Sequence, residues 1–153
     1  MKCKSTILML FIGFLSYCQS GIEKRDKVNQ RDYEFTLVSN NSYIVLSKYK
    51  SAKINETTLL LKTETEGCAK NQGIYLTLAT GENLQFKNAQ ITCEVAESKK
   101  HKLTGSFIVT PELYNKLSKT EILEFKLGDV TVPVQFREKE ENLRTLFHFA
   151  ENY

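Results

Sequence analysis

The chain is poor in the side chains that do chemistry. Its only histidines are His101 and His148, and its only aspartates are Asp26, Asp32 and Asp129. No G-x-S-x-G, H-E-x-x-H, phosphate-loop or EF-hand spacing occurs. Those absences remove nucleophile-elbow hydrolases, zincins, P-loop NTPases and EF-hand calcium binders from the candidates. No C-x-x-C occurs either, which removes thioredoxin-type redox chemistry. A zinc site wants four ligands, often from cysteines two to four residues apart. Here 24 residues separate Cys68 from Cys93. No metal and no cofactor is expected.

Charge of one sign is also scarce. Lys and Arg number 21 against 18 Asp and Glu. Residues 1–17 hold two of those lysines and no acid, so the rest of the chain carries 19 bases against 18 acids. A nucleic-acid binder would show a basic stripe, so nucleic acid is not expected as a partner. The one dense basic run, Lys99, Lys100, His101 and Lys102, suits a solvated hairpin tip.

Long apolar runs are missing as well. The longest is Ile7 to Leu15, nine residues broken only by Gly13. A spanning helix needs about 20. With Lys2 and Lys4 ahead of it, and Ser16 to Ser20 behind, residues 1–17 read as a secretory signal peptide. Leu15-Ser16-Tyr17-Cys18 then resembles a bacterial lipobox, although Tyr17 stands where a small residue is usual. In that reading Cys18 becomes the acylated first residue of the mature chain, and several acyl chains hold it to a membrane. Ordinary cleavage after Cys18 or Ser20, releasing a periplasmic or secreted protein, is the competing reading. Residues 18–32 carry few aliphatics and many charges, the composition of a flexible tether. With Cys3 in the signal and Cys18 at the processing site, Cys68 and Cys93 are left as a pair. In an oxidising compartment they read as a disulfide. Two free thiols, or half of a metal site, are the alternatives.

From Tyr33 to residue 153 the pattern predicts one mainly β domain of the α+β kind. Antiparallel sheets of about eight short strands are expected. Period-two alternation runs through Phe35 and Leu37; Tyr43 to Leu46; Leu59 to Leu61; and Ile74, Leu76 and Leu78. Further on it runs through Leu84 and Phe86; Ile91, Cys93 and Val95; Leu103 to Val109; Leu123, Phe125 and Leu127; and Val130 to Phe136. Pro133 lacks an N–H, which puts that last strand at a sheet edge or a bulge. An exposed edge there would suit strand addition by a protein partner. Thr110-Pro111-Glu112 starts a short helix near 111–118. A second, amphipathic helix is predicted near 138–151, with Leu143, Leu146, Phe147, Ala150 and Tyr153 on one face and a Glu140–Arg144 pair on the other.

Leu103-Thr104-Gly105-Ser106-Phe107, the helix start Thr110-Pro111 through Leu117, and the Gly128-Asp129 turn give residues 57–153 a resemblance to small exported proteins and lipoproteins of Bacteroidota. The resemblance implies a cell-envelope location and carries no activity with it. The function expected is a non-enzymatic binding or structural role. An exported enzyme whose site is scattered along the chain is the competing class. For that class, Glu64 and Glu66 alternate along one predicted strand, and either histidine could serve acid–base work. The aromatics Tyr43, Tyr49, Tyr75 and Phe86 could line a ligand groove.

Overall fold

The computed structural model describes residues 22–137 and 142–151. The signal peptide, Cys18, the first turn expected for the last helix and Tyr153 lie outside them. The described residues form ten strands and two helices. They are β1 (Ile22–Lys27), β2 (Gln30–Thr36), β3 (Tyr43–Lys50), β4 (Asn55–Thr65), β5 (Ile74–Leu78), β6 (Asn83–Phe86), β7 (Ile91–Val95), β8 (His101–Ile108), α1 (Pro111–Leu117), β9 (Ile122–Leu127), β10 (Val130–Pro133) and α2 (Leu143–Glu151). One sheet has six strands in the order β1-β2-β3-β4-β8-β7, and the other has four in the order β10-β9-β5-β6. Every strand pairing is antiparallel. The chain is mainly β, as its alternation predicts.

Burial follows the period of two. Phe35, Ile44, Leu46, Leu59, Leu61, Leu103 and Phe107 line the inner face of the six-stranded sheet, and Ile74, Leu76, Leu78, Phe125, Leu127 and Val132 face them from the other. Each such side chain stabilises the fold by about 1.5–3 kcal/mol relative to exposure. Helix α2 adds Leu143, Leu146, Phe147 and Ala150 to the same core and packs against β2, β3 and α1. At Gly105 there is no room for a side chain. A Cβ there would lie 2.9 Å from Ile91 Cδ1, 3.0 Å from Ile74 Cδ1 and 3.1 Å from Leu127 Cδ2.

Three features depart from the sequence reading. Residues 22–32, expected within a tether, pair as a hairpin from Ile22 onward, with Asn29 at φ 60° in its turn. The register sets Glu23 opposite Glu34, Arg25 opposite Asp32 and Asp26 opposite Arg31. The second departure lies in β9. Leu78 pairs with Ile122 and Thr77 with Glu124, which leaves Leu123 as an extra residue. That bulge buries Ile122 and turns Leu123 outward, 53% exposed. Val95, expected to share a strand face with Ile91 and Cys93, lies at the end of edge strand β7 and is 72% exposed where they are half-buried.

Both helix starts have defined caps within the described residues. Within the described residues α2 starts at Leu143, capped by Asn142, whose Oδ1 accepts from the Thr145 N–H at 2.9 Å. Glu121 reinforces this end: its Oε2 accepts from the Leu143 N–H at 3.1 Å, and its Oε1 pairs with Arg144 Nε at 2.8 Å. Arg144 thus has a partner from the β9 side of the fold; Glu140 lies outside the described residues. The start of α1 matches its prediction, with Thr110 as N-cap accepting from the Leu113 N–H at 3.3 Å.

The edge position of β10 also matches. Its one neighbour is β9, and Pro133 sits opposite Glu124. The Val134 N–H still donates to the Leu123 carbonyl at 2.8 Å, and beyond it the chain leaves this sheet. Phe136 bridges Leu37, and the Val38 N–H donates to the Gln135 carbonyl at 2.8 Å. The Phe136 ring meets Phe35 edge-on at 5.2 Å.

Candidate functional site

Cys68 and Cys93 form a disulfide with their Cα atoms 5.7 Å apart. Its effect is positional. Cys68 belongs to the loop 66–73 between β4 and β5, and the bond fastens that loop to β7. The loop has further ties. The Lys70 N–H donates to Asp129 Oδ1 at 2.7 Å, the Gly73 N–H to the Ala89 carbonyl at 3.0 Å, and the Gly128 N–H to the Gly73 carbonyl at 2.9 Å. The backbone N–H of Lys70, with that of Asn71, holds the Asp129 carboxyl below its ordinary pKa. Gly128 is at φ 63°, as the first central residue of a II′-type hairpin requires. A Cβ there would collide with the Asn71 carbonyl oxygen. Asn71 is therefore set firmly beside the β9–β10 turn.

This loop forms the rim of a depression of about 540 Å³ on the outer face of the four-stranded sheet, lined by Asn71, Tyr75, Thr77, Asn83, Gln85 and Lys126. Alternation explains the lining. Ile74, Leu76 and Leu78 point inward, so Tyr75 and Thr77 point outward, and the neighbouring strands follow. The register produces two rows across the strands. Gln85, Tyr75 and Lys126 make one; Asn83, Thr77 and Glu124 make the other. In the second row Thr77 Oγ1 lies 3.0 Å from Asn83 Oδ1 and 3.3 Å from Glu124 Oε1. In the first row the side chains of Gln85, Tyr75 and Lys126 have no hydrogen-bond or ion-pair partner among the described residues, and nor does that of Asn71. The Tyr75 hydroxyl reaches back over Gly73, where a Cβ would come within 3.3 Å of it.

The other sequence candidates do not converge. His148 is exposed on α2, and His101 is half-buried at the start of β8. His101 Nδ1 is buried without a partner among the described residues. Glu66 lies past the end of β4 and pairs with Lys100 at 3.3 Å, so the two glutamates do not share a strand face. Glu64 Oε2 accepts from Asn41 Nδ2 at 3.1 Å and from Ser98 Oγ at 2.9 Å. It ties together the tips of two hairpins. The four aromatics do not form one groove. Tyr43 and Tyr49 belong to the six-stranded sheet, Tyr75 lies in the depression, and Phe86 stacks on Phe107 at 3.9 Å. Among the described residues no three His, Cys, Asp or Glu gather as a metal site would need, and no helix is long and apolar enough to cross a membrane.

A second hollow, of about 340 Å³, lies between β3, α1 and the end of α2. Its two striking candidates for chemistry are already engaged. Lys48 Nζ donates to the Ala150 carbonyl at 2.7 Å, and the Tyr114 hydroxyl donates to the Phe147 carbonyl at 2.7 Å. Burial, then Glu151, pushes the Tyr114 hydroxyl up to about 12, and burial with Lys50 lowers the Lys48 ammonium. Both side chains hold α2 in place.

Sequence reasoning singled out Tyr75 but not its companions. Asn83 and Gln85 alternate with Leu84 and Phe86, and Lys126 alternates with Phe125 and Leu127. Their outward direction is readable from the chain; their convergence depends on the β6-β5-β9 strand order. Comparisons with protein-family models, with curated proteins and with solved structures return no match.

Proposed function

We propose that this chain is an exported protein of the cell envelope, held to a membrane through acylated Cys18, and that it acts by binding a partner rather than by catalysis. The basic n-region, the short apolar run and Cys18 support the address. The observation that carries the binding role is the depression on the four-stranded sheet. Gln85, Tyr75, Lys126 and Asn71 line it with no side-chain partner among the described residues, while Lys48, Glu64 and Tyr114 elsewhere are engaged in holding the fold together. Specific recognition needs such placed hydrogen-bonding groups.

The address is tested by mass spectrometry of the membrane fraction. Acylated Cys18 is the expected N-terminus, and Cys18→Ser should move the protein to the soluble fraction. An unmodified N-terminus at Gln19 or Gly21 would refute the anchor. The binding role is tested separately, through the residues of the depression.

A further inference from the structure

We infer that the depression on the four-stranded sheet is a binding site for a neutral glycan. This rests on the reading of that face as the protein's binding surface and adds the chemistry of its ligand.

The argument starts from the composition of the face. A pyranose ring has a rim of hydroxyls, each both donor and acceptor, and a C–H face that stacks on aromatic rings. Side-chain amides suit the rim, because each offers an acceptor oxygen beside two donor hydrogens and so can engage neighbouring hydroxyls together. Three amides line the depression, on Asn71, Asn83 and Gln85, with Tyr75 at the centre of its row. Thr77 engages the Asn83 oxygen, which leaves the Asn83 NH₂ to donate outward.

Charge narrows the class further. The lining holds a single charged side chain, Lys126; Glu124, next in the row of Asn83 and Thr77, lies outside it. A phosphate or carboxylate ligand would favour several cations or a fork of arginine donors, and a cationic ligand would favour several acids. One cation among amides and hydroxyls offers neither such cluster, which favours a polar ligand without net charge.

Dimensions agree. Neighbouring strands lie about 4.8 Å apart, so Gln85 and Lys126, on the strands flanking β5, stand about 10 Å apart across Tyr75. That span matches two linked sugar rings. The site is set in advance of binding. Its rows lie on paired strands, and Asn71 is held by the Cys68–Cys93 bond and the Lys70–Asp129 contact. Pre-set polar groups lose little freedom on binding, which a shallow site needs.

The test uses the full-length protein purified from membranes in a detergent without sugar groups. Cellohexaose, laminarihexaose and mannohexaose are titrated, with an oligogalacturonate and a hexapeptide as charged and peptidic probes. Binding is followed by isothermal titration and by NMR of the Asn71, Asn83 and Gln85 side-chain amides. At least one neutral hexaose should bind and shift those amides. Gln85→Ala and Tyr75→Ala should each weaken it about tenfold, the effect of losing one good contact, with the unfolding midpoint of Gln85→Ala unchanged. If the oligogalacturonate or the peptide binds there and the neutral sugars do not, the neutral-glycan proposal is wrong and the binding face stands. If no probe shifts those amides, or the variants bind equally well, glycan and binding face fall together.

Discussion

Lys48 Nζ donates to the Ala150 carbonyl at 2.7 Å, joining two residues 102 positions apart. The last carbonyls of a helix have no partner within it and carry its negative end. A strand lysine here supplies both a donor and a positive charge. Replacing Lys48 by Met keeps the aliphatic stem and removes both. The expected loss is about 1 kcal/mol, read from the urea midpoint, with faster hydrogen exchange confined to the last turn of α2. Unchanged exchange there would show that the contact does not hold the helix.

Tyr114 makes the matching contact from α1, to the Phe147 carbonyl. Its hydroxyl is raised from 10.0 to about 12, first by burial and then by Glu151. A raised pKa in the folded state means stability that is whole below the unfolded value and lost as pH rises through the folded one. The protein should therefore lose stability between pH about 10 and about 12. Tyr114→Phe should lower stability at pH 7 by about 0.5–1.5 kcal/mol and flatten that alkaline fall. Thermal melts of both proteins across the range measure it, and an equally steep fall in the variant would place its cause elsewhere.

The disulfide closes a loop across 25 positions. On the chain-entropy estimate it contributes about 3.5 kcal/mol. The double change Cys68→Ser, Cys93→Ser should lower the unfolding free energy by about 2–5 kcal/mol. It should also broaden the NMR signals of Asn71 more than those of Gln85, because the bond holds the loop and not β6. Equal stability of the two proteins would count against the estimate.

Two turns test backbone conformation in opposite directions. Lys99 is at φ 66° in the β7–β8 hairpin, a region that costs a non-glycine residue about 1–2 kcal/mol. Lys99→Gly should stabilise by about 0.5–1 kcal/mol, after the extra chain entropy of glycine is subtracted. Gly128→Ala should destabilise by more than about 1 kcal/mol, because the new Cβ meets the Asn71 carbonyl as well as an unfavourable φ. Calorimetric melting temperatures of the two variants should move apart; the same sign in both would contradict the turn assignments.

Most of the strands were legible because one face of each is buried, and burial imposes alternation. The reading failed where alternation does not report burial. β1 is an edge strand, and its charges look like a spacer until β2 is set beside it. The bulge at Leu123 shifts the period by one, which no pattern in Ile122-Leu123 announces. The disulfide was legible by counting cysteines. The candidate site was legible only in part, since alternation gives the direction of Tyr75, Gln85 and Lys126 but not the pairing that aligns them.

The strand order has a consequence for the integrity of the domain. The chain builds β1 to β4 in one sheet, crosses to the other for β5 and β6, returns for β7 and β8, and crosses again for β9 and β10. No single cut in the sequence separates the two sheets, because each fragment that keeps one sheet whole also carries two strands of the other. A fragment ending after β8 would expose the inner face of the larger sheet, and one starting at β5 would lack most of the surface that faces it. The two layers are thus thermodynamically inseparable: neither can serve as a folded intermediate alone, and a truncation anywhere between Asn55 and Leu127 should abolish folding altogether rather than release a smaller stable piece.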